Sequence, residues 1–153
     1  MAHTSQFCTF YLDGLLFGVE LQGVQEVIRN LEMTPVPLAP GVVRGLINLR
    51  GQIVTAVDLR KRLELQPLPA DAHPVNVVVR SEDGAVSLLV DEIGDVAEVE
   101  QSSFERAPET LTGPVRAMIL GVYKMDGRLL HVLDKEKACY VGEPEAAAAA
   151  AAR

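Results

Sequence analysis

Tryptophan is missing from this 153-residue chain, and Phe and Tyr bring the aromatic share to only 5%. That shortage removes the stacking platform on which a single-strand nucleic-acid binder depends, and leaves Val, Leu, Ile and Ala to build the core. Cysteine is almost as scarce. Cys8 and Cys139 stand far apart and in no metal-ligand spacing, which excludes a disulfide scaffold and a thiolate metal site and makes a reducing cytoplasm the expected setting. Basic residues are outnumbered, 14 Lys and Arg against 21 Asp and Glu, for a net charge of −7 and a pI near 4.9. A nucleic-acid partner would need a basic face that this balance does not supply. No apolar run approaches the ~18 residues of a membrane span. The N-terminus also lacks the order of a secretory signal, so a soluble protein with no direct membrane insertion is expected.

Catalytic signatures are absent as well. There is no Gly-rich phosphate loop, no nucleophile elbow and no zinc-binding helix motif. His3, His73 and His131 are scattered, and His131 lies within an apolar strand, where it reads as a core or rim histidine. Asp91 and Glu92 are adjacent, so a strand sends them to opposite faces; they are unsuited to two-carboxylate catalysis and read as solvated surface. The sequence therefore offers no catalytic residue, metal ligand or cofactor site, and the protein is expected not to be an enzyme.

What the chain does contain is an ordinary globular composition, 48% hydrophobic and 23% charged, at a length that hides roughly 68 to 70% of the unfolded surface in one domain's worth of fold. Four dipeptides suited to hairpins punctuate it: Asp13-Gly14, Arg50-Gly51, Asp83-Gly84 and Asp126-Gly127. Between alternating apolar runs, Asp-Gly favours a tight turn because Gly tolerates positive φ freely and Asp tolerably; Arg is a poorer choice. The first and third turns lie 70 residues apart and the second and fourth 76, the mark of one unit used twice. "GLINLRGQIVTAVDLRK" (45–61) aligns without gaps on "GVYKMDGRLLHVLDKEK" (121–137), matching Gly45 with Gly121, Gly51 with Gly127 and Asp58 with Asp134. Each Asp follows an aliphatic run and is placed to cap a short helix.

Further strands are expected at 6–12, 15–21, 75–80, 85–90 and 95–99, with the start of a short helix at 102–105. The proline-rich stretches 33–41 and 66–74 read as stiff connections, the first inside one half and the second joining the halves. The expectation is an all-β protein with short helices, built as two small antiparallel barrels from the internal repeat. Half one spans 13–68 and half two 75–140, with the N-terminal strand left to either. Residues 1–142 are then a single domain. Residues 143–153, with seven consecutive alanines, are a low-complexity tail whose removal should change neither folding nor binding.

One local charge anomaly remains. From Arg44 to Arg62 the chain is +4, against −11 for the remainder, so a basic patch is expected on the second hairpin.

The chain resembles the CheW family of bacterial chemotaxis coupling proteins over residues 6–140. The residues that carry the likeness are "FGVELQGVQEV" (17–27), "TPVPLAPGVVRGLINLRGQIVTAVDLRKRL" (34–63), "LLVDEIGDV" (88–96) and "ILGVYKMDGRLLHVLDKEK" (119–137). The resemblance implies two SH3-like five-stranded β-barrel subdomains and a non-catalytic adaptor. Such adaptors join the cytoplasmic tip of methyl-accepting chemoreceptors to the regulatory domain of the histidine kinase CheA, in the cytoplasm at receptor arrays on the inner face of the membrane. It assigns Asn48, Arg50 and Gly51 to a receptor-contacting segment, and Val24 and Gln25 to a second one on a groove between the barrels. Val96 and Val99 are expected on the opposite wall of that groove. Glu26 and Gly45 are candidates for the kinase-facing surface. The same module also serves chemotaxis-like systems that control pili, gliding or second messengers. From another class, a small-ligand-binding β-barrel would need convergent polar groups that the sequence does not name.

Overall fold

The computed structural model describes residues 3–29, 31–69, 71–82 and 84–141. In chain order the elements are β1 (Thr4–Leu12), β2 (Leu15–Glu20), β3 (Val24–Arg29), β4 (Val43–Leu49), β5 (Gln52–Asp58), α1 (Leu59–Arg62), β6 (Val75–Ser81), β7 (Gly84–Val90), β8 (Glu92–Glu100), α2 (Gly113–Met118), β9 (Ile119–Met125), β10 (Arg128–Leu133) and α3 (Lys135–Cys139). Single 3₁₀ turns at Leu21–Gly23 and Gln101–Ser103 lead into β3 and out of β8; the second lies where a short helix was expected. The five strands expected from alternation are present within a few residues of their limits, and Asp58 and Asp134 each cap their helix by accepting from the backbone N–H three residues on.

Two five-stranded sheets form, ordered β8-β1-β2-β10-β9 and β3-β6-β7-β5-β4. Each curls on itself. In the second sheet the edge strands β3 and β4 are farthest apart in hydrogen-bonding order, yet Ile28 of β3 packs with Ile47 and Leu49 of β4 around Val54 and Val78. In the first, Ala97 and Val99 of β8 meet Tyr123 of β9 around Phe7, Leu16 and Leu130. Edges that share a core enclose it, and the result is a pair of SH3-like barrels.

The repeat is real, but it does not divide the chain as its halves suggest. One barrel takes β1 and β2 from the N-terminus together with β8, β9 and β10, and the other takes β3 through β7. The division into 13–68 and 75–140 is therefore corrected: each repeat lends its first hairpin, β1–β2 or β6–β7, to the barrel completed by the other. The reason is the pairing of β5. It runs parallel to β7, with Thr55 opposite Val86, just as β10 runs parallel to β2, with Leu130 opposite Leu16. Parallel neighbours cannot be joined by a tight turn, so the partner strand must come from elsewhere in the chain.

The exchange places β1 and β6 between two cores. Phe7 points into its own barrel, while Cys8, Phe10 and Leu12 join Val75, Val77 and Val79 in a core shared by both sheets. Strands buried on both faces read as nearly continuous apolar runs, as "VNVVV" does. Helices α1 and α3 contribute Leu59, Ala138 and Cys139 to that shared core, and Leu63, just past α1, joins them. His131 is buried in β10, its Nδ1 donating to the Leu16 carbonyl at 2.7 Å and its ring 5.2 Å from that of Phe17.

Burial pushes the Cys139 thiol up to about 12, with nearby Glu136 adding to the shift. A thiol that holds its proton more tightly in the folded state leaves stability untouched below about 9 and withdraws it as the pH climbs toward 12. We expect Cys139 to resist a thiol reagent at about pH 8 in the native protein and to react once denaturant unfolds it. Immediate reaction of the native protein would mean that α3 does not cover the core.

Gly45 and Gly121 owe their match to packing rather than to turn geometry. A Cβ on Gly45 would lie 2.8 Å from the Thr34 carbonyl oxygen, and one on Gly121 would lie 2.5 Å from that of Glu105. In both barrels the incoming connection bridges to the following residue, Thr34 to Leu46 and Glu105 to Val122. Residues 142–153, including the alanine run, lie outside the described residues.

Candidate interaction site

The β4–β5 hairpin turns on Arg50 and Gly51, with Leu49 opposite Gln52. Both turn residues have positive φ, 52° for Arg50 and 88° for Gly51. This is the primed turn geometry that suits twisted strands, and at its first position an arginine is sterically disfavoured. Asn48 closes the turn by accepting from the Gly51 N–H at 2.8 Å. At the matching tip in the other barrel only Gly127 has positive φ, 76°, and Asp126 has not. The strained arginine is thus a property of one hairpin and not of the repeat.

Arg50 reaches across the seam of its barrel to Glu26 on β3. Nη1 donates to Oε1 at 3.1 Å and Nη2 to Oε2, a fork of two charge-assisted hydrogen bonds. The guanidinium side chain is 70% exposed while that of Glu26 is only 22% exposed, so the carboxylate lies beneath and the arginine on top. The guanidinium holds the Glu26 carboxyl below the usual carboxylate range. Glu26 stands opposite Val78, and the strand carries a bulge between Val24 and Glu26, at Gln25.

The remaining sequence candidates are distributed unevenly. Val24 pairs with Val79 and packs against the shared core. Val96 pairs with Cys8, also a shared-core residue, but is 54% exposed at the edge strand β8. Val24 and Val96 therefore turn to the same side of their respective sheets, the side where the barrels meet. Val99 does not share that wall. Three residues beyond Val96 on a strand, it points to the opposite face and packs into its own barrel's core with Tyr123. Gly45 is buried against Met33 and Thr34. Glu26, assigned by resemblance to a different surface from Arg50, is bonded to it.

The expected basic patch is dispersed by pairing. Arg44 lies 3.4 Å from Asp58, Arg50 is held by Glu26, and Arg60 grips Asp91 through Nε at 2.8 Å and Nη2 at 2.6 Å. Arg62 is drawn inward. Its Nε and Nη2 are buried without an acceptor among the described residues, and burial lowers its pKa from the usual guanidinium value. Asp91, expected with Glu92 as solvated surface, is instead largely covered and paired with Arg60. It also accepts from the Asp13 N–H at 2.8 Å, tying α1 to the β1–β2 turn. These partners lie 14 to 78 residues apart along the chain, and such separations leave no local signal.

Two features had no sequence marker. The Glu26–Arg50 fork is one; the other is Ile53, directly across from Asn48 and 61% exposed, which gives the hairpin an apolar face beside its charge. Among the described residues no group of three or more His, Cys, Asp or Glu side chains could hold a metal ion, and no helix is long and apolar enough to cross a membrane. A surface hollow of about 500 Å³ is lined in part by Arg29, His73, Asp91 and Glu92, but its Asp91 is already committed to Arg60.

Comparison with known proteins agrees with this architecture. The CheW-like domain family matches residues 6–140. The chemotaxis protein CheW of Treponema pallidum (strain Nichols) is 31% identical over 136 residues, covering 86% of this chain and 80% of that protein. CheW of Bacillus subtilis (strain 168) is 30% identical over 125 residues, covering 82% and 80%. The crystal structure of the scaffolding protein TtCheW from Thermoanaerobacter tengcongensis superposes with a TM-score of 0.80 at 25% identity, over 88% of this chain and 91% of that one. A family match spanning both barrels, relatives 30% and 31% identical over most of the chain and the same twin-sheet architecture place this chain in the CheW-like family of chemotaxis scaffold proteins.

Proposed function

We propose that this protein is a non-catalytic coupling protein that joins the cytoplasmic tip of methyl-accepting chemoreceptors to the regulatory domain of the histidine kinase CheA, with residues 1–142 acting as one unit in the cytoplasm at receptor arrays. The observation that carries the reading is Arg50, an exposed arginine at positive φ in a turn that Asn, Asp or Gly would fill with less strain. A residue kept where the backbone disfavours it calls for a partner. Val24 and Val96 add apolar surface on the side where the barrels meet, and an apolar groove with a few placed polar groups suits an amphipathic helix such as those of a receptor tip. Asn48 and Gly51 act through the shape of the turn, and Gln25 through the bulge that sets the register of Glu26. Val99 and Gly45, facing inward, contribute by holding the barrel walls.

The test is binding of the purified protein to a receptor cytoplasmic fragment and to the kinase regulatory domain, first separately and then together. A ternary complex, in which neither partner displaces the other, is the expected outcome. Absence of binding to both, or mutual displacement, rules out the coupling role.

A further inference from the structure

The proline-rich connection into β4 carries a leucine that the fold does not use. Val36, Pro37, Leu38 and Ala39 form a turn in which the Ala39 N–H donates to the Val36 carbonyl at 3.4 Å, and its third residue, Leu38, has a φ of 63°. A turn with Pro second and positive φ third asks for Gly or Asn at that third place. Leu38 is instead the one apolar side chain at positive φ among the described residues, and it is 84% exposed. Neither the strain nor the exposure is repaid by burial. The other barrel shows that neither is forced by the design: its connection into β9, bridged to that strand at Glu105 and Val122, uses Gly113 for positive φ and packs Leu111 against the shared core.

The loop presents Leu38 rigidly. Pro35, Pro37 and Pro40 restrict its backbone, Thr34 exchanges hydrogen bonds of 2.8 Å with Leu46, and the Val43 N–H donates to the Pro40 carbonyl at 2.9 Å. Val36 is exposed beside Leu38, so the two form an apolar knob. Its edge is basic: a Cβ on Gly41 would lie 3.9 Å from Lys61 Cε, and the half-exposed Arg44 begins the same strand. A side chain held out on a loop that is already ordered loses little freedom on binding. Position supplies the partner. Pro40 is bonded at the base of β4, and Arg50 stands at the tip, seven residues beyond Val43, which at about 3.3 Å per residue separates the two by roughly 20 Å. A coupling protein must hold two partners without one displacing the other, so its second surface has to stand clear of the first.

We propose that Leu38 is an apolar anchor for the kinase regulatory domain, seated in an apolar socket with an acidic rim on that domain. This rests on the coupling role proposed above. Gly45, which the resemblance assigns to the kinase side, then acts by seating the loop, because Met33 and Thr34 occupy the space that a Cβ would fill.

The experiment titrates the kinase regulatory domain, and separately a receptor cytoplasmic fragment, against the parent protein, Leu38→Asn and Leu38→Met. Melting curves and sedimentation are recorded for each. Leu38→Asn relieves the turn and removes an exposed apolar side chain, so it should melt at or above the parent. It should nonetheless bind the kinase domain about tenfold more weakly, as loss of a buried aliphatic anchor does, with receptor affinity unchanged. Leu38→Met, which keeps an apolar side chain of similar size, should retain most of the kinase affinity. Kinase binding by Leu38→Asn equal to the parent's overturns the inference, as does a loss confined to the receptor fragment. A lower melting temperature for Leu38→Asn would give the leucine to the fold, and a changed oligomeric state with kinase binding intact would give it to a second copy of this chain; either result overturns the inference. If the parent binds neither partner, the coupling role itself fails and the inference falls with it.

Discussion

Arg50→Glu should lower affinity for a receptor fragment at least tenfold while leaving the fold nearly intact. Both halves of that expectation follow from where the side chain lies. Arg50 is 70% exposed on a hairpin tip, and exposed ion pairs add little to stability, so the melting curve should barely move. Glu has no β-branch and meets the positive φ of 52° no worse than Arg does. At the interface the change acts twice. It deletes the cation offered to the partner, and it sets a second carboxylate against Glu26, which pushes the new side chain off the seam and into the space the partner would occupy. Binding to the kinase regulatory domain should change much less. The check is titration of the folded variant against each partner in turn. A receptor affinity equal to that of the parent in a properly folded Arg50→Glu protein would remove this hairpin from the receptor site.

Gly121→Val should be the more damaging of two glycine substitutions, and Gly51→Val the milder, although both glycines are repeated between the halves. At Gly121 the first added carbon would lie 2.3 Å from Phe104 Cζ and 2.5 Å from the Glu105 carbonyl oxygen. The Phe104 ring can swing aside; the Glu105 backbone cannot, because it exchanges hydrogen bonds of 2.9 and 2.8 Å with Val122. Relief therefore requires breaking that bridge or displacing β9, and a loss of about 2 to 3 kcal/mol is expected from overpacking of this kind. At Gly51 nothing lies within 4 Å of the added carbon, and the cost is the positive φ of 88° alone, about 1 kcal/mol for a β-branched residue. Denaturant unfolding with an unchanged m-value measures both. Equal stabilities for Gly121→Val and the parent would show that the connection before β9 is not pinned to it.

Local features of this fold were legible because their causes are local. The Asp-Gly and Arg-Gly turns announced their hairpins through φ preferences, Asp58 and Asp134 announced their helices as caps, and aliphatic alternation gave five strands nearly to their limits. The repeat itself was visible as matched residues. The family resemblance named the hairpin around Arg50, and the structure supplies its strained turn and its partner.

Tertiary structure alone decided how the repeats share the molecule. Whether β6–β7 completes its own repeat or the other one depends on the parallel pairing with β5, and a one-dimensional pattern carries no record of which strand lies alongside. The same limit applied to charge. The run from Arg44 to Arg62 reads as +4 because the acids that neutralise it, Glu26 and Asp91 among them, arrive from other parts of the chain. It applied again to Val96 and Val99, alike as sequence positions but separated by the pleat into one exposed residue and one core residue. Sequence determined which residues could turn, cap and alternate, since those are properties of neighbours along the backbone. The fold decided which residues meet across space, and the Glu26–Arg50 contact exists only there.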